Sequence, residues 1–220
     1  MRKLLLLRPE PGLSASAARA AELGLDVVAY PLFRIEPVEW SAPDARQYDA
    51  LLVTSANAML QAGPQLAAFR SLPVYAVGSA TADAARQAGF AIAGAGNDGV
   101  DALLAGVPAS SRLLHLAGEQ RRDLRGHRQI DAVTVYRSVA KENLSMPQLA
   151  NLVVAIHSPR AGARLAELVL DRGAARIAAI SAAAAEACGA GWEGVAVADR
   201  PDDPSLLALA ASLCHTSGQE

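Results

Sequence analysis

A chain of 220 residues, 52% hydrophobic and 19% charged, can bury one large core or two smaller ones, which excludes disorder outside the last few residues, SGQE. A formal charge of −2 argues against a general nucleic-acid binder, and 4% aromatics argue against a base-stacking platform. Two cysteines, Cys188 and Cys214, make no disulfide framework, so both are expected to pack on helix faces and the cytoplasm is the expected compartment.

The chain opens with Met1-Arg2-Lys3 and four leucines. That apolar run stops at Arg8-Pro9, too soon for a secretory signal, and no stretch approaches transmembrane length. It reads as a first strand near 3–7. Further strands are expected near 25–29, 49–53, 73–77, 90–93, 112–116, 130–136, 152–156, 175–180 and 194–198, with helices between most of them. Gly24, Gly63, Gly89 and Gly173 stand where helices should end. Runs such as LVVAI are apolar at every position, as in a parallel strand covered on both faces. Alternating βα units predict an open α/β fold with right-handed crossovers.

One junction recurs. A buried run ends in a small or hydroxyl-bearing segment, and an Ala-rich helix starts there. Arg8 follows the first strand; Thr54, Ser55 and Asn57 follow the third; Ser79 and Thr81 the fourth; Ser158 and Ser181 two later ones. Such helix starts leave backbone N–H groups unpaired beside hydroxyls, which favours anions. Their plain alternative is an N-cap, worth about 0.5–2 kcal/mol to folding. Several of them facing one space could hold a ligand with many carboxylates.

Two segments break the rhythm, PLFRIEPVEW (31–40) and VYRSVAKENL (135–144). Both read as extended connectors able to pair as a two-stranded ribbon. Residues 40–134 would then be an inserted α/β domain, and 1–34 with 141–220 a discontinuous one joined to it through 31–40 and 135–143. The block sizes agree: residues 1–30 hold two strands and one helix, too little for a core, while 144–214 are expected to hold three strands and four helices. LLVTSANAML…VYAVGSATADAARQAGF and VVAIHSPRAGARL…IAAISAAAAEACGAGW repeat one layout. The fold class expected is therefore two similar flavodoxin-like α/β domains, each a parallel sheet flanked by helices, joined by a two-stranded β ribbon.

In that same order the residues resemble the uroporphyrinogen-III synthase family. LLLRPEPG resembles its opening strand and Arg-Pro turn, and VVAYPLFRIEP its exit into the first connector. LLVTSANAM, VYAVGSATADAARQAGF, VTVYRSV and IHSPRAGARL resemble four further family turns and connectors. The last turn, ISAAAAEAC, departs from the pattern: Ser181 keeps one hydroxyl, while Ala183 and Ala184 offer only backbone donors. The resemblance implies two α/β domains with a central cleft. It also implies dehydration and cyclisation of the linear tetrapyrrole hydroxymethylbilane, with inversion of the last ring. No metal or organic cofactor, nucleic acid or membrane is implied, and a monomer is expected.

Under that resemblance Tyr136 is the candidate catalytic residue, a phenol able to donate to the departing hydroxyl. Arg8, Thr54, Ser55, Asn57, Ser79, Thr81, Ser158 and Ser181 are the candidate substrate-binding residues. Arg121, Arg122, Arg125 and Arg128 form a basic run that could draw in a polyanion, with Lys141 adding to it. His115 reads as a satisfied core residue, His127 and His215 as loop or tail residues, and His157 as a cleft residue of low weight. Trp40, Phe33 and Trp192 read as packing. Two rivals stay open. A two-domain protein that closes on a small anionic ligand without chemistry fits the pattern. A receiver or flavodoxin module fits less well, for Arg8-Pro9-Glu10 stands where a receiver needs an acidic pair. No G-x-G-x-x-G or P-loop occurs.

Overall fold

The computed structural model describes residues 1–96, 99–121, 124 and 129–215. They divide into two compact units, Met1–Arg34 with Ala140–Glu220, and Ile35–Val139.

The first unit holds β1 (Lys3–Leu6), α1 (Gly12–Glu22), β2 (Val27–Ala29), β9 (Leu152–Ile156), α5 (Pro159–Leu168), β10 (Ala175–Ala179), α6 (Ala182–Ala187), β11 (Gly194–Val197) and α7 (Asp203–His215). Strand order is β11-β10-β9-β1-β2, every pair parallel. The leucine run at the chain start is thus an internal strand, with Leu4, Leu5, Leu6 and Leu7 fully buried. Period-2 alternation splits it between two layers. Leu4 and Leu6 pack with Val153, Ala178 and the α7 residues Leu206, Leu207 and Ala210. Leu5 and Leu7 pack with Val154, Ile177 and the α5 and α6 residues Leu165 and Ala184. Cys188 and Cys214 are buried, one in each layer, as helix-face packing predicts.

The second unit contains β4 (Ala50–Val53), α2 (Ala56–Gln61), β5 (Val74–Val77), α3 (Ser79–Gln87), β6 (Ile92–Gly96), α4 (Val100–Ala105) and β7 (Leu113–Gly118). Strands β3 (Phe33–Pro37) and β8 (Ile130–Ala140) complete a sheet of order β3-β8-β7-β4-β5-β6. β4 to β8 are parallel. β3 is antiparallel to β8: the bonds from Lys141 N to Leu32 O and from Val38 N to Val135 O climb one segment as they descend the other. One face of this sheet packs on α2 and α3 through Leu51, Val53, Val74, Leu114 and Leu116. The other packs on α4 through Leu52, Leu113 and Leu104. Trp40 stacks on Phe69 at 6.1 Å, and Trp192 and Phe33 are buried, all three as packing.

The strand pattern read from the sequence recurs with two differences. Residues 130–140 form one strand, so the segment expected as a connector from 135 continues a ladder begun at Ile130. Residues 33–37 are its antiparallel neighbour, the pairing expected of the two connectors. The stretch after Asn143 forms no helix before β9, leaving three helices rather than four in 144–214. Among the described residues no helix is long and apolar enough to cross a membrane.

Candidate functional site

Parallel strands bring all their carboxyl ends to one edge of a sheet, and in open α/β sheets ligands bind beyond that edge. In the second unit this edge collects Thr54 and Ser55 after β4, Ser79 after β5, and Gly118 with Tyr136 where β7 meets β8. A register shift between Ala117 and Gly118 sets Gly118 opposite Tyr136. The Tyr136 ring lies on that glycine: a Cβ there would stand 2.7 Å from Cζ and 2.9 Å from Oη. Half-buried, Tyr136 also packs against the α2/α3 layer, so the packing role and the catalytic candidacy share one position.

The hydroxyls divide by task. Ser55 caps α2, its Oγ accepting from Asn57 N at 3.3 Å, and Asn57 is half-buried in that first turn. At α3 the cap is Gly78, with φ of +87°, so Ser79 is the first helical residue and exposed, whereas Thr81 is buried at 5% exposure. Thr54 is half-buried, with Oγ1 3.1 Å from His115 Nε2. Burial, then the nearby Arg121 charge, pushes the His115 imidazole down to about 4. Arg121 is held at the same edge, Nη1 donating to Gly118 O at 3.2 Å and Thr134 Oγ1 at 2.7 Å. Arg122, Arg125, His127 and Arg128 lie outside the described residues.

In the first unit the corresponding edge carries Arg8 after β1, His157 and Ser158 after β9, and Ser181 after β10. Ser158 caps α5 by accepting from Ala161 N at 3.2 Å, and Ser181 caps α6 by accepting from Ala184 N at 3.3 Å. Lys141 is half-buried, its backbone N–H committed to Leu32 O. Arg8 is engaged within the unit. Its Nη1 donates to Ser16 Oγ and to Asp203 Oδ1, both at 2.9 Å, and its guanidinium lies against Gly12.

Asp203, at the start of α7, gathers this edge. Its Oδ1 also accepts from Ser16 Oγ at 2.6 Å and faces His157 Nε2 at 2.8 Å, while Oδ2 accepts from Arg19 Nη1 at 2.6 Å. Burial opposes its charge, but hydrogen bonds from His157 and Ser16 and the charge of Arg8 outweigh it and hold the carboxyl well below the usual range. Burial likewise pushes His157 down, against the pull of Asp203. Ser16, Arg19 and Asp203 were not singled out by the sequence. Among the described residues no group of three or more His, Cys, Asp or Glu is placed to hold a metal ion.

A family model described as uroporphyrinogen-III synthase HemD matches residues 14–208. Among solved structures, the chain is similar to uroporphyrinogen-III synthetase from Helicobacter pylori 26695, at 17% identity and a TM-score of 0.67, covering 97% of this chain and 100% of that one. It is also similar to a mutant uroporphyrinogen III synthase from the extremely thermophilic bacterium Thermus thermophilus, at 15% identity and a TM-score of 0.51, covering 96% and 98%. These likenesses establish the shared fold. No curated protein sequence matches significantly.

Proposed function

The chain belongs to the uroporphyrinogen-III synthase family, and from that membership we propose how its own residues carry the reaction. The activity is that of a lyase of haem biosynthesis acting on a small tetrapyrrole: it dehydrates and cyclises hydroxymethylbilane, inverting the last ring, to give uroporphyrinogen III. The leaving hydroxyl sits on a carbon attached to a pyrrole. As the C–O bond breaks, the pyrrole nitrogen supplies the electron pair, giving an electrophilic azafulvenium cation that keeps its N–H, and the oxygen departs as water once it has taken a proton; the ring closure that follows releases a proton as the pyrrole regains aromaticity. Such a substrate also closes unaided, to the type I isomer. The enzyme therefore steers more than it forces, and a hundredfold preference for one closure needs only about 2.7 kcal/mol. A few oriented donors supply that.

In this reading Tyr136 donates its phenol hydrogen to the departing oxygen. The observation that carries it is the seating of the ring on Gly118, at the sheet edge that also carries the Thr54 and Ser79 turns. Thr54, Ser55, Asn57, Ser79, Ser158 and Ser181, with the helix-start N–H groups beside them, are the proposed contacts for substrate acetates and propionates. Each is worth roughly 0.3–1 kcal/mol, so binding is spread thinly. Thr81, buried, and Arg8, committed to Ser16 and Asp203, act in this proposal by holding their turns. We also take 1–34 with 141–220, and 40–134, as two domains linked by 31–40 and 135–143, in a cytoplasmic monomer; the two buried unpaired cysteines support that compartment.

The test is incubation with fresh hydroxymethylbilane, resolving type III from type I product. The native chain is expected to give type III, and Tyr136→Phe to slow it without lowering the melting temperature. Type I alone, at the spontaneous rate, would leave only the binding-protein reading. Full turnover by Y136F would remove Tyr136 from the chemistry.

A further inference from the structure

Among the described residues the buried polar side chains are Ser16, Thr81 and His115. Ser16 is accounted for by Arg8 and Asp203. His115, 2% exposed, interrupts an apolar strand and has no role in the reading above. Its place follows from the pleat. β7 sets it in register with Leu52, so it shares a sheet face with Thr54, two residues beyond Leu52. There its Nε2 meets Thr54 Oγ1 at 3.1 Å.

A threonine hydroxyl has one hydrogen to give, and a neutral imidazole carries one N–H, on either nitrogen. Burial and Arg121 keep His115 neutral at neutral pH, so it is one tautomer or the other. The two give Thr54 opposite polarity. With the proton on Nδ1, Thr54 must donate to Nε2 and shows a ligand only lone pairs, which repel a carboxylate. With the proton on Nε2, the imidazole donates to Oγ1, and the Thr54 O–H is free to point out of the sheet edge as a donor.

We propose that His115 is a positioning residue for substrate binding: as the Nε2–H tautomer it donates to Thr54 Oγ1 and turns the Thr54 hydroxyl outward to a carboxylate of the linear tetrapyrrole. This rests on the reading that Thr54 touches the substrate. A hydrophobic residue at 115 would fill the same space, but it would leave the Thr54 rotor undirected.

Two measurements on the full chain test it. In a 15N-labelled sample at neutral pH, long-range 1H–15N correlation reads the His115 tautomer, with H115Q identifying the signal by its loss. Protonated Nε2 is expected, and protonated Nδ1 overturns the inference. In kinetics with hydroxymethylbilane, T54V is expected to raise KM roughly threefold to tenfold with little change in kcat. H115L should do the same, the double variant should be no worse than the worse single one, and H115Q, whose amide can still donate, should recover most of the loss. Multiplying effects in the double variant overturn the inference. T54V with native KM overturns the Thr54 contact and the inference with it. T54V impaired while Nδ1 carries the proton overturns the inference alone. Should H115L fail to fold, the tautomer measurement on the native chain still decides.

Discussion

Gly118 leaves the space that Tyr136 occupies. A methyl there would stand 2.7 Å from Cζ, closer than real carbon atoms approach, so the ring must move. Gly118→Ala therefore displaces the phenol while leaving it chemically intact. Because misplacing a catalytic group by about 1 Å costs up to a hundredfold, the type III rate is expected to fall roughly tenfold or more, with little change in melting temperature. An undiminished rate would mean that the ring position is irrelevant. His115 makes a different demand, on pH. Its folded value of about 4 lies below the ordinary 6.5, so between these values the unfolded chain binds more protons. Stability is then fully present above about 6.5, falls as pH drops toward about 4, and levels off below, by on the order of 3 kcal/mol. His157 shifts in the same direction and adds to the slope. Urea midpoints measured from pH 6.5 down to 4.5 should flatten in H115Q; an unaltered slope would show that His115 does not carry this term. Thr54 and Tyr136 could be picked from the sequence because each sits at a strand end or in a family-like connector. Asp203 could not. Its partners Arg8, Ser16, Arg19 and His157 lie 195, 187, 184 and 46 positions away, and it takes β1 lying beside β9 and α1 packing with α7 to bring them together. Read along the chain, PDDPS looks like an ordinary helix start, which it also is, Asp202 accepting from Ser205 N at 2.8 Å.

Between elements, the α5–α6 contact turns on one residue. Glycine inside a helix normally costs about 1 kcal/mol relative to alanine, so Gly162 invites replacement. At this crossing, however, a Cβ would stand 2.8 Å from Ala184 O, 3.0 Å from Cys188 Sγ and 3.2 Å from Cys188 N. Two of those atoms are backbone and cannot swing aside. Gly162→Ala is thus expected to destabilise by about 1–3 kcal/mol, overpacking outweighing propensity. A urea titration decides: a midpoint at or above that of the native chain would mean that the helices part without cost. This limit was invisible in PRAGARLAEL, where the glycine reads as a weak helical residue like any other. Element type was more accessible than contact. Wholly apolar runs such as LVVAI became central parallel strands because only burial on both faces tolerates them. Residues 144–214 hold three helices where four were expected: ahead of β9 the chain meets Pro147, and Asn143 and Asn151 stand at φ of +52° and +61°, conformations that end helices. The pairing of 31–40 with 135–144 was legible because both segments are extended and neither reads as a buried parallel strand; β3 and β8 meet across a hundred positions, and Glu36 pairs with Arg137 at 3.0 Å.

At the scale of the whole chain, the two units differ in how the backbone builds them, and that difference predicts opposite behaviour when the chain is cut. Ile35–Val139 is one continuous stretch holding β4 to β7 and most of β8, with a packed layer on each face of its sheet. A domain of about 100 residues buries enough surface to fold alone. Expressed as a fragment, it should unfold cooperatively in urea; a non-cooperative, dye-binding fragment would show that its cores are insufficient. The other unit takes Met1–Arg34 from one end of the chain and Ala140–Glu220 from the other. Its strand order places β1 between β9 and β2, not at an edge. Leaving out the first 34 residues would strip one flank of β9 and remove the leucines that both helical layers pack against. Residues 140–220 alone should therefore lack cooperative unfolding, because unpaired backbone on β9 and an open apolar face cannot both be buried. Adding a peptide of residues 1–34 should restore it, with Lys3–Leu6 re-entering the ladder and Arg8 regaining Asp203. Block sizes in the sequence point residues 1–30 toward the C-terminal third, yet they say nothing of strand order, which depends on pairings that local pattern does not encode. If the 140–220 fragment folds cooperatively without the peptide, β1 is dispensable to its sheet and the central placement carries no energetic weight.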